Sequence, residues 1–204
     1  MNTKHLITAL SDILIPLGFT RKGNTWNRHC TSFVDVINLQ QSKAGDAVTI
    51  NCGVLHFDVH RLCWGKEAAV FIEEPICTVR ARIGELINGY DLWWNCIGSI
   101  IPSDVISDQV KSAVLPFLEK MHSEVEMEAL LERSQVVKKR YPPPILYLAA
   151  LKCRRGDKQS ALDIVTALQK KTSSSWKVKV TEAASRLDLS LTRGAGKGGA
   201  HPGA

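Results

Sequence analysis

Residues 33–59 read FVDVINLQQSKAGDAVTINCGVLHFDV, and this stretch decides the fold. Its two halves, 33–41 and 47–59, are rich in the β-branched and large apolar residues that favour strands. Between them lies SKAGD, in which Gly45-Asp46 suits a tight turn. We therefore predict two strands that pair antiparallel as a hairpin.

Upstream of this hairpin the sequence predicts a helix followed by a shorter hairpin. Residues 3–17 carry apolar side chains at helical spacing, namely Leu6, Leu10, Ile13, Leu14 and Leu17. Gly18 is placed to end this helix in a left-handed conformation. Residues 19–29 then change to an extended pattern around Lys22-Gly23-Asn24, which predicts two strands joined by a turn.

Downstream of the long hairpin, residues 76–83 and 91–97 predict two further strands. A helix is expected from about residue 103 to about residue 132, with an interruption near Pro116. The expected fold class is α+β. Its antiparallel sheet has four or five strands, is polar on one face, and is accompanied by an N-terminal helix and a helical C-terminal region.

The C-terminal third predicts a small group of helices. Residues 141–168 indicate two helices joined at Gly156-Asp157, and residues 176–187 indicate a third. The pattern is similar to half of a tetratricopeptide-type array, which needs about three repeats to bury its faces. We therefore expect a helical cap packed on the sheet. The predicted organisation is a sheet domain at 1–132, a basic helical cap at 133–191 and a disordered, Gly-rich tail at 192–204.

The formal net charge of +6 is unevenly divided along the chain. Residues 1–132 contain 11 Lys/Arg and 16 Asp/Glu, a balance of −5, whereas residues 133–204 contain 15 and 4, a balance of +11. A clustered basic region can bind nucleic acid, because contact with phosphates releases counterions. The alternative is that these charges are solvated helix faces and that the two regions partly neutralise each other.

The sequence also bears on compartment and redox state. No apolar run approaches the roughly 18 residues of a membrane-spanning helix. The first residues lack the charged flank and the cleavage site of a signal peptide. We therefore predict a cytoplasmic protein without membrane contact, whose six cysteines are reduced thiols.

Six segments occur in an order and spacing that resembles a family of bacterial domains of unknown function, which carries the serial number 4304. They are LGFTRKGNTWNR (17–28), DVINLQQS (35–42), INCGVL (50–55), VRARIGEL (79–86), DLWW (91–94) and LPFLEK (115–120). The resemblance spans approximately residues 1–130. It implies an α+β fold with an antiparallel sheet, and it transfers no activity and no catalytic residue.

Four possible zinc ligands lie close together in the sequence: Cys52, His56, His60 and Cys63. Their spacing presents one face only on a helix, whereas this segment favours a strand. On a strand, the first three would span about 27 Å at about 3.4 Å per residue, unless the strand turns near Val59. We therefore predict no metal site and no cofactor.

The predicted binding surface is the polar face of the sheet. Strand alternation places Arg80 and Arg82 on one face, and Gln40 falls on one side of its own strand. If these faces coincide, two guanidinium groups lie among amides. The expected site then also includes Arg21, Trp26 and one of the Trp93-Trp94 pair, taken as Trp94.

Such a surface could hold a carboxylate, a phosphate or an acidic protein loop. The alternative is structural. In that case Arg80 or Arg82 pairs with Glu85 or Asp35, and the tryptophans fill the space between the sheet and a helix.

The sequence contains no Gly-x-Ser-x-Gly elbow, and it ties no cysteine to a histidine and an orienting acid, so we predict no enzyme. We expect a non-catalytic cytoplasmic domain that binds another protein. A narrower hypothesis, by analogy of size and fold class, is an immunity-type inhibitor of a bacterial toxin. The alternative is a nucleic-acid-binding protein that uses the basic C-terminal helices.

Overall fold

An antiparallel sheet is central to the computed structural model of this chain, which describes residues 3–96, 103–134 and 141–191. Five strands are neighbours in chain order: β1 Thr20–Lys22, β2 Thr25–His29, β3 Phe33–Gln41, β4 Ala47–His56 and β5 Val79–Arg82. A two-residue strand, β6 (Trp94–Asn95), also pairs with β4, at the start of that strand. Both predicted hairpins, β1–β2 and β3–β4, are present.

Helices precede the sheet, connect some of its strands and follow it. Their bounds are α1 Lys4–Leu14, α2 Phe57–Trp64, α3 Ile83–Asn88, α4 Ser103–Gln109, α5 Leu115–Lys120, α6 Glu124–Arg133, α7 Pro142–Arg154, α8 Lys158–Lys171 and α9 Ser174–Arg186. The predicted α+β class, with its N-terminal helix and helical C-terminal region, is confirmed. Gly18 has the expected left-handed conformation, with φ of 87°.

One face of the sheet carries the main core. The register aligns Trp26 with Ile37, Ile37 with Cys52, and Cys52 with Ala81 across four strands. The first three of these side chains are fully buried, as are the apolar residues of α1 at Leu6, Leu10 and Leu14. The core is continuous with the buried side chains of the C-terminal helices. The opposite face is therefore left for other contacts.

A small second core covers part of that opposite face. Its buried residues are Val34, Val36, Leu55, Ile72 and Cys77. The connection between α2 and β5 is held to the sheet by Asn27, whose side chain pairs with the backbone of Ile72 through hydrogen bonds of 3.0 and 2.6 Å. The remaining part of this face is polar.

The predicted strand at residues 47–59 is wrong in its last three residues. The strand ends at His56, and α2 begins at Phe57. Val59, His60 and Cys63 form the buried side of this helix, and Gly65 ends it with a φ of 67°. The sequence here fits both periodicities, so the boundary was decided by packing against the C-terminal helices rather than by local preference.

The predicted strands at 76–83 and 91–97 are much shorter in the structure. Residues 83–88 form α3, whose first turn is stabilised by the carboxylate of Glu85, which accepts the backbone N–H of Arg82 at 2.8 Å. Gly84 leaves no room for a Cβ beside the backbone of the following loop, which folds back over α3. Only β6 remains of the second predicted strand, whose last residue, 97, lies outside the described residues.

The predicted helix at 103–132 is divided at two places. A π-helical segment, Val110–Val114, precedes α5, where Pro116 lacks the N–H that a regular helix would require. A second break follows α5, and Ser123 caps α6 by accepting the backbone N–H of Glu126. The expected interruption near Pro116 is thus present as a change of helix type.

The C-terminal helices contact the sheet region directly. Helix α7 packs against α2 and α6, and α9 packs against α2. The guanidinium of Arg186 donates to the carbonyl oxygens of Leu62 and Cys63 at 2.8 and 2.6 Å, which satisfies the end of α2. The boundary at residue 132 stays a prediction, and the predicted tail at 192–204 lies outside the described residues.

All six cysteines are free thiols. Within the described ranges, no helix combines the length and the apolar character needed to cross a membrane.

A truncation after Glu132 tests whether the sheet region folds alone. We expect the 1–132 fragment to be insoluble or strongly destabilised, because removing α7 and α9 exposes apolar side chains of the continuous core. Solubility and urea unfolding of the fragment measure this. A stable, monomeric fragment would show two independent domains.

The substitution Arg186→Ala tests a single contact between α9 and the end of α2. It should lower the free energy of unfolding by about 1–3 kcal/mol, because two carbonyl groups at the end of α2 lose their donor. Lys177→Ala, at an exposed position of the same helix, is the control.

Candidate functional site

The polar part of the sheet lies on the face opposite the main core. The register pairs Thr25 with Asn38, Asn38 with Asn51, and Asn51 with Arg82, so these side chains form one row across four strands. Strand alternation adds Gln40 and Arg80 to the same face. We call this set the polar sheet surface: Thr25, Asn38, Gln40, Asn51, Arg80 and Arg82.

Hydrogen bonds connect neighbouring side chains of the polar sheet surface. The amide of Asn38 donates to the hydroxyl of Thr25 at 2.9 Å. The amide of Asn51 donates to Gln40 Oε1 at 2.7 Å, and Asn51 Oδ1 accepts from Arg82 Nε at 3.1 Å. These side chains are thus ordered by contacts within the sheet.

Arg82 is held on three sides and still reaches solvent. Besides its bond to Asn51, it donates to Asp91 Oδ2 at 2.6 Å. Its guanidinium lies 5.4 Å from the centre of the Trp93 ring, and the Trp93 indole N–H donates to the same Asp91 oxygen at 3.0 Å. The Arg82 side chain remains 35% exposed. It is therefore a rigid and accessible cation.

Arg80 has a more structural role. Its guanidinium makes two hydrogen bonds to the carboxylate of Glu74, which is almost fully buried. The structural alternative foresaw paired arginines but named the wrong partners, since the acids that pair with Arg80 and Arg82 are Glu74 and Asp91. The carboxylate of Glu85 instead accepts a backbone N–H.

Trp26 and Trp94 do not lie beside the arginines, so their assignment to this surface is corrected. Trp26 is fully buried in the main core, and its indole N–H donates to Ser11 at 3.2 Å. Trp94 pairs with Val48 and packs against the same core. Both side chains point to the opposite face because the strand register assigns them to it.

Arg21 also lies across the sheet from Arg82. It is the register partner of Trp26, and its guanidinium donates to the carbonyl of Gly23 within its own hairpin. Of the predicted site residues, Gln40, Arg80 and Arg82 share one surface. Sequence reasoning missed Asn51 and Asp91, although an asparagine inside the apolar run of β4 was a signal for Asn51.

A second group of polar residues lies on the core side of the sheet. Asp35 is completely buried, and its carboxylate accepts from Arg28 at 2.8 Å and from His122 Nε2 at 2.7 Å. Glu119 also pairs with Arg28, near the surface. Cys30 lies beside this group, with Sγ 4.0 Å from Asp35 Oδ2.

The ligand atoms of Cys30, Asp35 and His122 lie within 4.8 Å of one another, as a metal site would require. However, the guanidinium of Arg28 already occupies one oxygen of Asp35, and His122 is hydrogen-bonded to the other. Burial, together with the nearby Asp35 charge, raises the pKa of the Cys30 thiol, so thiolate formation is disfavoured. The arrangement supports a neutralised buried carboxylate rather than a metal centre or a nucleophile.

The four zinc ligands considered from the sequence do not form a ligand cluster in the described ranges. Cys52 faces the main core from β4. His56, at the end of that strand, pairs through Nε2 with Glu124 at 2.9 Å, and His60 and Cys63 lie on α2. Burial raises the pKa values of both thiols.

A family model described as a domain of unknown function, DUF4304, matches residues 10–120, which is more than half of the chain. The chain belongs to this family. The match confirms the resemblance predicted from the six sequence segments. No curated protein and no solved structure matches the chain.

The DUF4304 match extends from within α1 to the end of α5. It therefore includes the whole polar sheet surface together with Asp91 and Trp93. His122 and Glu124 lie beyond it, as do the basic helices α7, α8 and α9.

Part of the basic charge outside the DUF4304 match is neutralised by ion pairs. Four side chains form ion pairs: Lys152 with Glu128 and Glu132, Arg154 with Asp58 and Glu124, Arg155 with Glu128, and Lys158 with Asp188. The pairs of Lys152, Arg154 and Arg155 support partial neutralisation between the two regions, whereas that of Lys158 with Asp188 lies within the basic region. In the described ranges no ion pair involves four lysines near the junction of α8 and α9: Lys170, Lys171, Lys177 and Lys179.

Two buried histidines predict acid sensitivity. Burial lowers the pKa of His56 and of His60 below the usual value of about 6.5. In the unfolded chain both histidines bind protons near that pH, whereas the folded protein resists protonation. Stability should therefore fall as the pH falls from about 7 to about 5, measured as the urea midpoint.

His56→Gln should reduce this dependence. Because His56 Nε2 donates to Glu124, protonation would place a proton on Nδ1, which is buried without an acceptor. The control is His5→Gln, which removes an exposed histidine in α1. An equal change of pH dependence in both variants would contradict the assignment to His56.

Proposed function

We propose that this member of the DUF4304 family is a non-catalytic, cytoplasmic protein-binding domain whose contact region is the polar sheet surface. The observation that carries the proposal is the state of Arg82. Its guanidinium is fixed by Asn51, Asp91 and Trp93 but remains accessible. A charged side chain that is already ordered loses little entropy on binding, which favours affinity.

Exposed aromatic and apolar side chains border this region. Ile87, at the end of α3, is 37% exposed, and Tyr90, in the loop that leads from α3 to Asp91 and Trp93, is 61% exposed. Tryptophan, tyrosine and arginine are the residues that most often dominate binding energy at protein interfaces. The combination supports a protein partner.

The chemistry of the second polar group supports the non-catalytic part of the proposal. The Cys30 thiol has a raised pKa, and His122 Nε2 donates to Asp35, so this nitrogen is not available as a base for the thiol. The narrower proposal, an immunity-type inhibitor of a bacterial toxin, names a toxin as the partner. It rests on size and fold class.

The test uses the full chain as bait in an extract of the source cells. A protein captured by the wild type is identified, purified and titrated against variants. We expect Arg82→Ala and Trp93→Ala each to weaken its binding by about 30-fold or more, which corresponds to about 2 kcal/mol.

Arg21→Ala is the matched control. It removes an exposed arginine from the opposite side of the sheet, where the side chain contacts only its own hairpin among the hydrogen bonds described. Its binding should equal that of the wild type. A partner that binds all three variants alike would rule out the polar sheet surface as the contact region.

Nucleic-acid binding is the second proposed function. Its contact region would be the four lysines at the α8–α9 junction, and not Arg154 and Arg155. Those two arginines are engaged with Asp58, Glu124 and Glu128. If this function holds, the double substitution Lys170→Glu and Lys171→Glu should weaken binding to all sequences. The slope of log Kobs against the logarithm of the salt concentration should then change by about 0.9 per lost phosphate contact on duplex.

We expect no such binding to random DNA or RNA at physiological salt. Fluorescence anisotropy with a labelled duplex and a single strand measures it. Micromolar, salt-dependent affinity that the two reversals abolish would establish the nucleic-acid function in place of the protein-binding one.

A further inference from the structure

The carboxylate of Asp91 lies where two donors, on Arg82 and Trp93, converge. A single oxygen, Oδ2, accepts from the Arg82 guanidinium at 2.6 Å and from the Trp93 indole N–H at 3.0 Å. A guanidinium and an indole N–H that converge on one oxygen form a recognition arrangement for an anionic oxygen. The acid that fills it belongs to the chain itself.

The two sides of this contact differ in how firmly they are held. Arg82 extends from β5 and is bonded to Asn51, which is 5% exposed. Asp91 lies in the loop between α3 and β6, outside any helix or strand, and its side chain is 49% exposed. The cationic side is thus anchored in the sheet, and the loop backbone at Tyr90 and Leu92 packs closely on Gly84, whereas the exposed Asp91 side chain can leave by rotating into solvent.

Arg80, on the same strand as Arg82, forms an ion pair with a buried acid. Glu74 is 5% exposed and makes two hydrogen bonds to the Arg80 guanidinium. An acid buried in this way cannot be exchanged without leaving a buried charge unpaired, which is costly. The exposed pair of Arg82 and Asp91 carries no such penalty, because exposed ion pairs contribute little to stability.

We propose that Arg82 and Trp93 form a carboxylate-binding site, and that an aspartate or glutamate side chain of the protein partner replaces Asp91 in it. The site rests on the proposed protein-binding function and names the chemistry of the partner's contact. When Asp91 leaves, the positive charge of Arg82 is no longer paired, and the incoming carboxylate pairs with it again. Asp91 therefore acts as a competitor for the partner's acid.

The first test asks whether the site accepts a free carboxylate. Asp91→Ala vacates it, and acetate is compared with chloride at equal ionic strength by thermal unfolding. We expect acetate, at several times its Kd, to raise the Tm of this variant by about 2 to 4 °C and to raise that of the wild type less. The double variant with Arg82→Gln should show no rise.

Asp108→Ala is the matched control, since it removes an exposed acid that pairs with Lys111 elsewhere on the surface. A Tm rise as large in this control as in Asp91→Ala would mean a general salt effect and would overturn the proposal. The Trp93 indole N–H resonance supplies an independent readout that does not depend on stability. It should shift on titration of Asp91→Ala with acetate, while that of buried Trp26 should not.

If Asp91→Ala does not fold, Asp91→Asn keeps the size of the side chain and allows the same titration. The second test uses the captured protein partner. Because the competing carboxylate is removed in Asp91→Ala and loses its charge in Asp91→Asn, each variant should bind the partner several-fold more tightly than the wild type. Weaker binding would overturn the exchange.

The two proposals fail in different ways. If Arg82→Ala binds the captured partner like the wild type, the contact region itself is wrong. If Arg82→Ala loses the partner but acetate neither stabilises Asp91→Ala nor shifts the Trp93 resonance, protein binding holds and the carboxylate site is wrong.

Discussion

The pairing of β3 with β4 is the constraint on which both the core and the candidate site depend. Successive side chains of a strand point to opposite faces, so the register decides which residues enter the core and which form the polar sheet surface. With Ile37 opposite Cys52, Asn38 must lie opposite Asn51. A shift of one residue would turn the asparagines into the main core and the apolar side chains onto the polar face, which the hydrophobic effect opposes strongly.

The buried carboxylate of Asp35 connects this sheet to the helices behind it. A buried charge is tolerated only when it is paired and hydrogen-bonded, and Arg28 and His122 supply both requirements from β2 and from the segment after α5. In the same interaction one carboxylate oxygen holds a guanidinium and the other holds an imidazole, so both oxygens are engaged although Cys30 lies close by.

The acidic and basic halves of the chain meet where α7 packs on the sheet region. Arg154 contacts Asp58 and Glu124, and Glu124 also holds His56. Some basic side chains of the C-terminal region are therefore paired with acidic side chains of the same chain. The polar sheet surface, which lies within the DUF4304 match, carries the partly exposed guanidinium of Arg82, with the Trp93 ring beside it.

The sequence alone determined the α+β class, both hairpins, the N-terminal helix and the placement of Arg80, Arg82 and Gln40 on polar positions of strands. Periodicity and turn residues are local signals, so they suffice for these features. The tertiary structure decided the rest. Whether Trp93 or Trp94 meets Arg82 depends on the register of β6 against β4, and the helical state of residues 57–64 and 83–88 depends on packing and on a single carboxylate contact. Asp91 joins Arg82 only through the fold of a loop, and Asp35 meets His122 across 87 positions of sequence. Contacts between distant positions leave no periodic trace in one sequence, which is why the site had to be read from the folded chain.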